Sequence, residues 1–128
     1  MFHYTIETPK SIDEAIQSLE KNLKEEKFGV QWQFNVQETL ENKGFELENP
    51  FTILEVCNPK EAQSVLSANQ LIGYFLPCKI VVYNDKHGKT KIGMPRPTVL
   101  IQMVEDESIQ EVAADIEKRL IACIEKSR

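Results

Sequence analysis

Hydrophobic residues change period along this chain, and the changes mark its elements. Phe2, Tyr4 and Ile6 alternate with His3, Thr5 and Glu7, the period-two pattern of a strand with one buried face. Pro9 closes it. Ser11-Ile12-Asp13-Glu14 reads as a capping box, with Ile12, Ala15, Ile16, Leu19 and Leu23 following at helical spacing. Gly29 is the expected turn after that helix. Val30, Trp32, Phe34 and Val36 then alternate with Gln31, Gln33 and Asn35, the clearest strand pattern in the chain. Glu38 to Lys43 reads as a short helical turn and Glu48-Asn49-Pro50 as a turn.

Phe51 to Cys57 carries apolar residues on both faces, as an interior strand does. A helix is expected from Asn58, with Ala62, Val65 and Leu66 as a narrow apolar stripe. Ile72 to Leu76 is apolar and β-prone. Lys79 to Tyr83 is a strand, and Asp85 to Gly88 a hairpin loop with Gly88 where φ turns positive. Lys89 to Ile92 is its return strand, with lysines of the kind that protect a sheet edge. Pro95-Arg96-Pro97 breaks the chain. Thr98 to Val104 fits either a last strand or a buried helical turn. Ser108-Ile109-Gln110-Glu111 reads as a second capping box, opening a helix striped by Ile109, Val112, Ala113, Ile116, Leu120 and Ile124. There is no internal repeat or linker. Strands with amphipathic faces and helices that must cover them predict one α+β domain over residues 1–128. The expected form is a two-layer sandwich, a mostly antiparallel sheet with helices packed on one face.

Composition narrows the function classes. A 128-residue chain that is 41% hydrophobic can bury a core without disulfide or metal staples. The net charge is -5 and no basic run exceeds two residues, so the clustered cations of a nucleic-acid surface are missing. No apolar run approaches the roughly 20 residues that span a bilayer, so no membrane partner is expected. The start of the chain lacks the basic and apolar regions of a signal peptide. A cytoplasmic location is expected, where thiols stay reduced. An odd count of three cysteines also argues against a disulfide framework.

The candidate chemistry lies between Cys57 and Cys78. Within Cys57-Asn58-Pro59-Lys60-Glu61, capping alone accounts for three residues: Asn58 is a favoured N-cap, Pro59 suits the first helical position and Glu61 the third. Cys57 precedes a helix start, where unpaired N–H groups favour a thiolate; a buried, inert cysteine is the plainer reading. A helix from Pro59 to Gln70 carries the chain roughly 18 Å away, and an extended return from Leu71 to Pro77 brings it back by roughly 23 Å. That places Cys57 and Cys78 at one end of the sheet. A continuous strand from Leu71 to Tyr83 would keep them apart, but Pro77 disfavours it. A close dithiol permits disulfide exchange or two-coordinate binding of a soft metal; it is too few ligands for tetrahedral zinc. His3 and His87 show no metal spacing, and Cys123 continues the last helix's core stripe. Glu55, inside an apolar strand, is either a buried acid with a raised pKa or a solvent-facing residue at the sheet margin. No nucleophile–base pairing or phosphate-cradling glycine loop is present, so nothing calls for a cofactor and an enzyme is the least favoured reading.

Residues Asn42 to Ile92 resemble the prokaryotic family called domain of unknown function 302. The matching features are Lys43-Gly44, Ile53 to Pro59, Ala62, Leu66, Gly73 to Cys78, and Val81-Val82-Tyr83 before a glycine-containing hairpin. The flanking elements extend the resemblance over almost the whole chain. The segment Met94-Pro95-Arg96-Pro97-Thr98 departs from it, where relatives tend to carry Asp-Pro and a short helix. The resemblance implies a small, oligomeric α+β domain and assigns no reaction or ligand.

Two readings follow. The first is a non-catalytic binding or interaction module, a homodimer with a small-molecule ligand. Its apolar face is expected from Leu54 and Val56 with Trp32 or Phe34. The second is a redox or soft-metal thiol site built from Cys57 and Cys78, flanked by Asn58, Pro59 and Pro77.

Overall fold

The computed structural model describes residues 1–128. Strand β1 (His3–Thr8) leads into helix α1 (Ile12–Glu25), then β2 (Gly29–Asn35), α2 (Val36–Asn42), β3 (Phe51–Cys57), α3 (Pro59–Ala68) and a 3-10 helix over Gln70–Phe75. Strands β4 (Cys78–Asn84) and β5 (Thr90–Pro95) follow. Helix α4 (Pro97–Ile101), a 3-10 turn at Gln102–Val104 and helix α5 (Glu107–Lys126) close the chain. The strands form one antiparallel sheet in the order β1-β5-β4-β3-β2. This is the expected α+β sandwich.

Alternation decides which residues meet the helices. Leu54 and Val56 of β3, Ile80 and Val82 of β4, and Ile92 of β5 are fully buried. They pack against Leu19 and Leu23 of α1 and Leu120 and Ile124 of α5 in one core cluster. Burying such a side chain stabilises the fold by about 1.5–3 kcal/mol. Helix α1 starts as its sequence dictates: Glu14 N donates to Ser11 Oγ at 3.2 Å and Ser11 N donates to Glu14 Oε1 at 3.0 Å. Arg119 of α5 ties the helices together. It donates to Glu61 Oε1 of α3 at 3.1 Å and to the Glu26 carbonyl at 2.9 Å, with its guanidinium 4.9 Å over the Phe28 ring. No helix is long and apolar enough to cross a membrane.

Several local expectations are corrected. Leu54 and Val56 lie on the covered face, so they supply core and not an open apolar surface. Val30 and Trp32 do not share a face, because the register shifts between them: Val30 pairs with Val56, but Trp32 pairs with Glu55. The extra residue of this bulge turns Trp32 and Phe34 outward, and Val36 begins α2. β5 is no edge strand, since β1 pairs along its other side. The positive φ after α1 falls on Lys27 and not on Gly29. Asp106 caps α5, accepting from the Ser108 backbone at 3.0 Å, so Ser108 is already helical and no box forms there. Ile72 to Leu76 falls in the 3-10 helix and its cap instead of extending. Thr98 to Val104 resolves as helical turns, with Pro97 at a first-turn position and Glu117 accepting from Thr98 N and Oγ1 at 3.1 and 2.7 Å.

Candidate functional site

The cysteine end of the sheet is built by two strand termini. β3 ends at Cys57 and β4 begins at Cys78; Val56 faces Cys78 across one ladder and Gly29 faces Cys57 across the other. The two cysteines are therefore one register step apart on neighbouring strands. The pleat separates their side chains. Cys78 follows the parity of Ile80 and Val82, on the helix side, whereas Cys57 follows that of Ile53 and Glu55, on the uncovered side. Both are free and half-buried. Burial pushes the Cys78 thiol up to about 11, and Cys57 nearby adds to the shift. At neutral pH Cys78 is a protonated thiol, which is neither a ready nucleophile nor a ready metal ligand. No group of three or more His, Cys, Asp or Glu side chains is placed to hold a metal ion.

The flanking residues have structural roles. Asn58 Oδ1 accepts from Glu61 N at 3.1 Å, and Pro59 opens α3. Glu55 is half-buried on the uncovered face, opposite Lys79. His3 Nδ1 lies 2.9 Å from Thr5 Oγ1, and His87 is exposed in the hairpin loop. Cys123 is buried in the core, its thiol pushed up by burial.

On the helix side, Cys78 and Pro77 border a pocket of about 370 Å³, within the size range of small-molecule sites. It lies between two apolar clusters. Met94, Ile116 and Leu120 on one wall belong to the main core, and Val65, Ile101 and Ala113 on another belong to a smaller second cluster. Fourteen of its nineteen lining residues are hydrophobic, which suits an apolar guest. Cys57, Asn58 and Pro59 lie outside the wall. The pocket's wall draws on α3, the 3-10 helix, the facing ends of β4 and β5, α4 and α5. Sequence reasoning missed α4 and α5 as its walls. The available signal was Thr98 to Val104, an apolar stretch with no assigned role.

The other face of the sheet is open. Trp32 and Phe34 stack at 5.2 Å and Phe51 and Tyr83 at 5.0 Å, with Ile53 and Val81 as register partners. Trp32 is 53% exposed, so this aromatic surface meets solvent in the isolated chain.

No curated protein matches the chain. A solved crystal structure, described as an uncharacterised conserved DUF302 protein from Bacillus stearothermophilus, is similar to it over 100% of this chain and 99% of that one, at 55% identity and a TM-score of 0.96. The profile described as "Domain of unknown function DUF302" matches residues 4–127. With the fold and both of these matches in agreement, the chain belongs to the DUF302 family.

Proposed function

We propose that this chain is a non-catalytic binding module of the cytoplasm that takes a small, largely apolar molecule into the pocket beside Cys78. The observation that carries the reading is the pocket itself: about 370 Å³ of predominantly hydrophobic wall, left open between two packed clusters. A predominantly apolar cleft of this size is the usual form of a small-molecule site, and a binding role accounts for it without asking for a nucleophile. Equilibrium titration with the neutral fluorophore N-phenyl-1-naphthylamine tests it. Saturable binding is expected, and Ala113→Leu, which adds volume to the wall, should weaken it about tenfold or more. Binding unchanged by that substitution would overturn the reading.

The module is proposed to work as a homodimer through its uncovered sheet face. Contiguous exposed apolar surface of this kind marks association sites, and two stacked aromatic pairs lie on it. Sedimentation equilibrium at micromolar concentration should show a dimer; a monomer at that concentration would remove this part of the proposal.

The second reading is a thiol site at Cys57 and Cys78. The register Val56↔Cys78 favours it by placing the two cysteines on adjacent strand ends. The pleat and the raised Cys78 pKa count against it. Rapid labelling of both thiols by iodoacetamide at pH 7, or a disulfide formed with oxidised glutathione in the folded chain, would establish it.

A further inference from the structure

We propose that the pocket's occupant is an α-amino acid with a large apolar side chain, the side chain in the buried end of the pocket and the zwitterionic head between Glu55 and Lys79. This rests on the binding reading above and names the class of ligand. Volume sets the first limit. At roughly 30 Å³ per water, about 370 Å³ holds about a dozen water-sized groups, which matches one such molecule and not a lipid with two tails.

The wall is graded from apolar to charged. Val65, Ile72, Ile101 and Ile109 are buried lining residues of the second cluster and form its inner end. Tyr74, Pro77 and Lys79 are exposed lining residues and mark its mouth. Cys78 and Met94 enter the wall from the covered face of the sheet, Glu55 and Lys79 from the uncovered one, so the mouth lies at the end of the sheet, beside the start of β4. A guest that fills the pocket is therefore an amphiphile, apolar within and polar at the mouth.

The head is set by the two charged lining residues, Glu55 and Lys79. They face each other across the β3–β4 ladder, a placement that roots their side chains about 5 Å apart. Yet they make no ion pair: every ion pair in the chain is made by Lys91 or Arg119. Glu55 is half-buried, which limits the water available to it. An ammonium head would satisfy Glu55 and be repelled by Lys79, a carboxylate head the reverse, and a neutral head would leave both without a partner. A head that carries an ammonium and a carboxylate on one carbon answers both, each through a charge-assisted hydrogen bond.

The test is calorimetric titration of the full chain at neutral pH with α-aminooctanoate, octanoate, octylamine and octanol, for wild type, Glu55→Gln and Lys79→Gln. The amino acid should bind wild type about tenfold tighter than any of the other three, the scale of one charge-assisted hydrogen bond. Glu55→Gln and Lys79→Gln should each remove that advantage and leave octanol unchanged, which also shows that the variants are folded. The wild-type series decides without either variant: octanoate, octylamine or octanol equal to or tighter than α-aminooctanoate overturns the zwitterion assignment. The pocket reading then stands when Ala113→Leu weakens that binding and falls when it does not. An α-aminooctanoate affinity unchanged in either variant overturns the pairing with Glu55 and Lys79. Failure of all four ligands to bind overturns the pocket reading itself.

Discussion

The two faces of one sheet carry similar side chains and have different fates. On one face Leu54, Val56, Ile80, Val82 and Ile92 are fully buried under α1 and α5. On the other, Phe51, Ile53, Val81 and Tyr83 come from the same strands, with Trp32 and Phe34 from β2, and all stay partly exposed. Strand alternation puts apolar residues on both sides, but only one side has helices to cover it. Burial is therefore a property of the opposing layer, and residue type alone does not reveal it. The difference separates stability, which belongs to the covered face, from association, proposed above for the uncovered one.

The largest effect expected from breaking this division is on the covered side. Leu54→Ala removes a fully buried side chain and should cost about 3 kcal/mol, read from urea denaturation. Next is the response to alkali. Cys78 has a folded pKa of about 11 against an ordinary 9.0, so between these values the unfolded chain gives up a proton that the folded one keeps. Stability should fall as pH rises from about 9 to 11, by up to about 2.7 kcal/mol. Cys78→Ala should flatten that slope.

A smaller loss is expected at Gly93, where a Cβ would lie 2.7 Å from Thr5 Oγ1. Gly93→Ala should cost about 1–2 kcal/mol. Thr5→Ala should be less damaging on that background than on wild type, because the clashing atom is gone. The smallest stability effect belongs to the uncovered face. Ile53→Lys should change the monomer's stability by about 0.5 kcal/mol yet dissociate the proposed dimer in sedimentation equilibrium.

The element types were largely legible in the sequence because each rests on local physics. The capping box at Ser11, the Asn58-Pro59 helix start, the Gly88 turn and the stripes of α1 and α5 need no long-range information. What could not be read depends on partners distant in the chain. Trp32 continues Val30's alternation perfectly, and only the register with β3 shows that a bulge reverses its face. Lys89 to Ile92 looks like an edge until β1 pairs with it. Helix and return lengths led to the common end of Cys57 and Cys78, although the return coils into a 3-10 helix. The pocket was hidden for the same reason. Its wall joins Val65, Met94, Ile101 and Ala113 from four separate elements, and no period in the sequence relates them.

An apolar guest bound under the helices, as proposed, is to be told apart from one bound on the open aromatic face. One fluorescence titration with N-phenyl-1-naphthylamine separates the two, run on wild type, Ala113→Leu and Ile53→Lys. Ile53→Lys should saturate as wild type does, while Ala113→Leu should lose about tenfold or more in affinity. Loss of binding in Ile53→Lys with full binding in Ala113→Leu would put the guest on the aromatic face instead.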